Sequence, residues 1–359
     1  MNRVFKTKWS AAHQQYVVTD EHHATKGKAA KSAVAIAVAA FMMAAGAQAA
    51  YKDPNPNISS ASVAEAQRAF ETAEYQKDWG LAAMNASKAY ALGFTGKDVA
   101  VGVMDSGALL QDHPDLKGDR FHAVKVENQS YGSSGNRYPQ DSKNPGSYKP
   151  GASGQFELGM NDSHGTHVTG TVGGNRDGSE FHGVAFDADV YVGNTGGTDN
   201  TNYGPFQDPQ FFYQGWSALA TAISDANKFA DNTTRGGFIN NSFGTNIRVN
   251  RGEDVTSVGP DGGNTTTHFP TDTVSQTEYE YFLFMKDAEA RKNSDSHWNG
   301  KSFVDAAYEA VQDKKVVQVF TTGNRDFAQP FYRPLYPYFN PDAEKFWIAV
   351  AGMKQNGSK

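Results

Sequence analysis

Five short apolar runs divide the second two-thirds of this chain: Val99 to Met104, Val184 to Val192, Phe238 to Asn241, Val316 to Phe320 and Trp347 to Val350. The first is continuous and stops at Asp105, as expected of a strand buried on both faces of a parallel sheet. Between the runs lie stretches of helical character, Thr166 to Val172, Tyr213 to Ala230 and Phe303 to Gln312. Strands alternating with helices predict an α/β fold, a doubly wound, mainly parallel sheet flanked by helices. In that architecture ligands bind beyond the carboxyl ends of the strands.

Two segments interrupt the alternation. Asn128 to Gly159 is rich in Ser, Gly, Asn, Tyr and Pro, and Thr245 to Gly300 is polar apart from a helix-like stretch at Glu278 to Ala290. Both are expected as surface insertions, a common setting for function. Ahead of the domain, Tyr51 to Ser62 has the Pro, Asn and Ser content of a linker, and Ala64 to Tyr75 suits a short helix. The expected organisation is a leader over 1–49, a linker and lead-in over 50–90, and one α/β domain over 91–359.

The leader is a separate pattern. Ala33 to Ala45 is uninterrupted and apolar, follows Lys26, Lys28 and Lys31, and precedes Ala47-Gln48-Ala49. A basic flank, a short apolar core and an Ala-x-Ala end make a secretory signal peptide, with cleavage expected after Ala49. The run is too short for a membrane span, which takes about 20 apolar residues. Residues 1–31 are long for a basic flank. Met1 to Lys6, Trp9-Ser10, Tyr16-Val17-Val18 and Glu21 resemble the extended signal region of Gram-negative autotransporters. That likeness implies export through the Sec machinery and an outer-membrane barrel in a longer parent protein, although no barrel strands are legible in these 359 residues.

Composition narrows the chemistry. The formal net charge is −6 and no Lys/Arg block interrupts the region after the leader. Phosphate binding wants a concentrated basic face, so no nucleic-acid partner is expected. With no Cys, the chain has no disulfide, thiol nucleophile or Cys-ligated metal.

The candidate reacting groups begin at Met104-Asp105-Ser106-Gly107, where a carboxylate stands at a strand end, with His113-Pro114-Asp115-Leu116 following. Alone, such an Asp is as readily a turn cap. Farther on, Asn161-Asp162-Ser163-His164-Gly165-Thr166-His167-Val168 leads into a helix carrying Gly165, Gly170, Gly173 and Gly174. Each Gly costs a helix about 1 kcal/mol relative to Ala, so close packing is expected there. A His is the natural general base for a hydroxyl nucleophile and needs a carboxylate to fix its tautomer; Asp105 is the candidate partner of His164. His164 and His167 with Asp162 would alternatively ligate a metal, at poorer spacing than a zinc helix uses.

Taken together, Asp-Ser-Gly, His-Pro-Asp-Leu and His-Gly-Thr-His-Val resemble the subtilisin-like (S8) serine peptidases. The resemblance implies a serine endopeptidase acting on protein or peptide substrates, its triad running Asp, His, Ser along the chain. By motif match Asp105 takes the orienting role, His164 is the general base, and His167 is not catalytic. Ser242, Phe243 and Gly244 fall where the family lines its substrate cleft, presenting backbone to an extended peptide. Asn324, in Thr322-Gly323-Asn324, falls at the oxyanion-hole Asn. Read without the resemblance, the first is an ordinary strand with a Gly stop and the second a turn former. The family nucleophile lies in a Gly-Thr-Ser-x-Ala helix start, yet Ser358 is the one Ser after Asn324. The expectation is therefore a C-terminally truncated domain, lacking two strands and the nucleophile helix and inactive by itself. A non-catalytic, secreted peptide-binding or adhesin module is the alternative. No cofactor is expected; calcium is possible by family resemblance, with no assignable site.

Overall fold

The structure, a computed structural model, describes residues 6–10, 15–19, 60–126, 153–156, 163–195, 209–244, 254–258, 264–268, 280–281, 284–285, 288–289, 291–293, 295–323 and 330–355. The apolar core of the leader, Asp162, Asn324 and Ser358 lie outside them, as does most of the 128–159 insertion.

Two units make up the chain. Residues 1–93 with 178–181 and 353–359 form one, and 94–177 with 182–352 the other. The first unit carries an antiparallel strand pair, β1 (Lys6–Ser10) with β2 (Gln15–Thr19), and four short helices, α1 (Ser60–Phe70), α2 (Ala73–Lys77), α3 (Trp79–Ala83) and α4 (Ala86–Ala91). The single helix expected over Ala64 to Tyr75 is thus two, and the linker expected to Ser62 ends earlier. The break is a capping event: the Thr72 hydroxyl accepts from the Tyr75 N–H, and Asp78 likewise caps α3 through the Gly80 N–H at 2.7 Å. Buried Tyr75 and Tyr90 meet edge to face and hold the helices together.

The second unit is built on six parallel strands. They are β3 (Ala100–Asp105), β4 (Phe121–Ala123), β5 (Asp189–Asn194), β6 (Gly237–Asn241), β9 (Val316–Thr321) and β10 (Trp347–Val350), in the order β10-β9-β6-β3-β5-β4. The central strand β3 is buried along its whole length, as its unbroken apolar run requires. Two expectations shift. The strand read from Val184 begins only at Asp189, because residues 184–187 are turn; and β4 has no long apolar run to announce it.

Three helices matter for the site: α5 (His164–Gly173), α6 (Pro209–Ala226) and α7 (Phe303–Glu309). On one side of the sheet Phe212, Trp216, Leu219 and Ile223 of α6 pack with Phe303 of α7 against Ile239, Val316 and Phe320. On the other side Val168 of α5 joins Val101, Val103, Val190 and Val192 in a smaller core. Side chains alternate faces along a strand, so Phe238 of β6 and Ile348 and Val350 of β10 lie on the side away from α6. They are 38%, 48% and 48% exposed. The insertion after β6 contributes an antiparallel ribbon, β7 (Asp254–Val258) with β8 (Asn264–His268), and short helical pieces around Glu280, Phe284 and Ala288.

Candidate active site

The direction of travel across the sheet reverses at β3: from it the chain goes out to β4 and back to β5 on one side, and then crosses to β6 on the other. In a doubly wound sheet that switch opens a crevice at the carboxyl ends of the strands. Asp105 is the last residue of β3, and Ser242, Phe243 and Gly244 leave the end of β6.

His164, the first residue of α5, places its Nδ1 2.8 Å from Oδ1 of Asp105. Asp105 is fully buried, whereas the His164 side chain is 31% exposed. The Ser106 N–H also donates to Asp105 Oδ1, at 2.8 Å. With Nδ1–H given to the carboxylate, Nε2 is left as the imidazole's proton acceptor.

Backbone contacts set this geometry. The Gly165 N–H donates to Ser106 Oγ at 2.9 Å, and the Leu109 N–H donates to Thr166 Oγ1 at 3.0 Å. Both tie the first turn of α5 to the loop leaving β3. Gly165 is required by closeness: a Cβ there would collide with the Gly107 carbonyl oxygen and lie 3.0 Å from the Gly107 and Ser106 nitrogens. The sequence reading singled out the glycines but gave Ser106 and Thr166 no role at the site. The Asp-Ser-Gly and His-Gly-Thr triplets contain them, and the signal was their adjacency to the two titrating residues.

At the end of β6, the Ser242 hydroxyl accepts from Asn240 Nδ2 at 2.8 Å. The Phe243 ring is buried in the core beside Phe212, so Phe243 meets the crevice through backbone alone. Its carbonyl accepts from Arg333 Nη1 at 3.0 Å. Arg333 in turn pairs with Glu280 at 2.8 Å, both fully buried. Neither of these residues was legible as part of the site, since Glu280 belongs to the polar insertion. His167 is exposed on α5, and among the described residues no group of three or more His, Asp or Glu is arranged to hold a metal.

The fold and this dyad define an α/β protein with a carboxylate-oriented histidine at its switch point. Residues 96–359 match the model of the Subtilase family (peptidase S8), and the chain belongs to that family. Residues 1–50 match the extended signal peptide of the type V secretion system, which makes this a secreted protein of the Gram-negative outer membrane and cell surface. Among curated relatives, an extracellular serine protease of Serratia marcescens is 35% identical over 156 residues, 44% of this chain and 12% of that protein. The autotransporter lipoprotein NalP of Neisseria meningitidis is 25% identical over 295 residues, 77% of this chain and 24% of that protein. The chain thus spans a quarter or less of these relatives' length. Among solved structures, the MycP3 protease of the type VII (ESX-3) secretion system overlaps 69% of this chain and 46% of its own at 15% identity, with a TM-score of 0.34.

Proposed function

We propose that Asp105 and His164 are the orienting carboxylate and general base of a serine endopeptidase exported as an autotransporter passenger. The 2.8 Å His164–Asp105 contact at the switch point carries this reading. The buried carboxylate holds the imidazole with Nδ1 protonated and stabilises the imidazolium formed when Nε2 takes a proton from a serine hydroxyl. That serine attacks the peptide carbonyl, and the charge developing on its oxygen is met by Asn324. Ser242 to Gly244 receive the substrate as an extended strand. The apolar surface at Phe238, Ile348 and Val350 favours a further element packed over the sheet, and the nucleophile is assigned to it. Sec export and an outer-membrane barrel complete the proposal.

The test is proteolysis of an unfolded protein by this protein as its own cells secrete it. His164→Ala is expected to abolish cleavage, and Asp105→Asn to lower it by about 10⁴-fold through the wrong tautomer. Undiminished cleavage by His164→Ala would overturn the assignment.

A further inference from the structure

We propose that Phe331 sets the side-chain size that the peptide cleft accepts, and that the buried Arg333–Glu280 pair holds its ring in place. This rests on the peptide-cleft reading above. Strands β6 and β9 run parallel in register, Gly237 opposite Val316 through to Asn241 opposite Phe320. Three residues beyond the last pair, both chains reach a glycine, Gly244 and Gly323. A Cβ on Gly244 would lie 2.5 Å from Phe331 Cε2, and one on Gly323 would lie 3.0 Å from the same atom. One aromatic ring therefore occupies the space of two side chains, between neighbouring strand ends at the crevice. Phe331 is 9% exposed, so little of the residue reaches the surface.

Its placement is enforced from two directions. The Phe331 N–H donates to the Thr322 carbonyl at 3.1 Å, pinning its backbone to the exit of β9. The Arg333 guanidinium stands 5.4 Å from the ring centroid, within cation–π range, while it donates to the Phe243 carbonyl and pairs with Glu280. Burying both charges costs desolvation that only good geometry offsets. The return is a fixed Phe243 carbonyl and a fixed ring beside Gly244.

A peptide laid along strand ends sends alternate side chains into the protein. Between Gly244 and Gly323 such a side chain meets the Phe331 edge. Gly, Ala or Ser fits above it, whereas Leu or Phe collides. The substrate class is therefore peptides with a small residue at this position.

The experiment uses the 359-residue chain, which needs no turnover. Fluorescent extended peptides, identical but for one central Ala, Leu or Phe, are titrated by anisotropy against the wild type, Phe331→Ala and Phe331→Leu. The wild type is expected to prefer Ala over Phe by about tenfold or more. Phe331→Ala is expected to erase or reverse that preference, with Phe331→Leu between. Thermal melts check folding, and Phe331→Leu carries the result should Phe331→Ala fail to fold. An unchanged preference in a folded variant, or a wild type preferring Phe, overturns the inference alone. A wild type that binds none of the peptides overturns the cleft reading and the inference with it.

Discussion

Gly165→Ala sets two physical effects against each other. By helix propensity alone, Ala gains about 1 kcal/mol over Gly inside a helix. Packing opposes it. The new methyl would lie 3.0 Å from the Gly107 and Ser106 nitrogens and nearer still to the Gly107 oxygen. Favourable contacts between heavy atoms lie at about 3.5–4.0 Å, so clearing the Gly107 oxygen requires the helix to retreat by about 1 Å or more. The opposing atoms are backbone, in a loop tied to the same helix turn through Leu109 and Thr166, and no side-chain rotation relieves the contact. Overpacking of this kind costs about 1–3 kcal/mol. Retreat also stretches the 2.9 Å Gly165–Ser106 bond, worth about 1 kcal/mol. The outcome is a net loss of about 1–3 kcal/mol, with the propensity gain offsetting the weakened bond. Urea denaturation reads the stability, and proton NMR reads the His164 Nδ1 proton, expected to move upfield as the 2.8 Å contact to Asp105 lengthens. A variant about 1 kcal/mol more stable than wild type, with that resonance unmoved, would show that propensity rather than close packing governs the site.

Two further perturbations probe the framework around the cleft. Glu280→Ala leaves the fully buried Arg333 guanidinium without its carboxylate and is expected to destabilise the fold by about 3–5 kcal/mol in urea titrations, since an uncompensated charge remains inside. At high pH, Tyr336 is informative. Burial, then the Asp305 carboxylate to which it donates at 2.7 Å, push its hydroxyl well above the ordinary value of 10.0. A folded-state value above the unfolded one leaves stability intact below pH 10 and removes it as pH rises beyond, because the unfolded chain ionises first. The urea midpoint should therefore fall from about pH 10 upward, and Tyr336→Phe should make that fall shallower; an unchanged slope would dissociate Tyr336 from the alkaline loss.

The elements legible in the sequence are those fixed by apolar runs. Strands β3, β6, β9 and β10 fall within a residue or so of the runs at Val99, Phe238, Val316 and Trp347; in β3 burial on both faces demands the continuous apolar stretch, whereas β6, β9 and β10 are buried only in part. Strand β4 escaped because it is three residues long and only Phe121 is buried. The helix expected to run to Ala230 stops at Ala226, where Asn227 bonds the Ala100 N–H and the carbonyls of Ala100 and Gly236. No periodicity foretells that Asn. The dyad was legible for a different reason. Asp105 closes an apolar run and His164 opens a helix, and both positions are fixed by secondary structure. Glu280 and Arg333, 53 residues apart, meet only through the tertiary fold. Their pairing leaves no local pattern, and a charged residue in a polar insertion reads as solvated.

Asp105 itself marks where stability and chemistry part. Its Oδ1 serves both His164 and Ser106, but its Oδ2 is buried with no hydrogen-bond partner among the described residues. Leaving a buried polar atom unpaired costs about 1–3 kcal/mol, more when the group is charged. The rest of β3 is apolar or Gly, so the strand could end on an uncharged residue without losing any contact that holds the sheet. A fold optimised for stability alone has no use for a half-satisfied carboxylate at its centre. Such local conflicts collect at functional sites, where the compensation is chemical rather than structural. On the proposed reading, a carboxylate whose one satisfied oxygen is spent on an imidazole and the backbone beside it is the orienting group, fixing a tautomer and meeting a positive charge on His164. The surrounding contacts, from Ser106 Oγ to the missing Cβ of Gly165, are the means by which the sheet and α5 hold that arrangement against its cost.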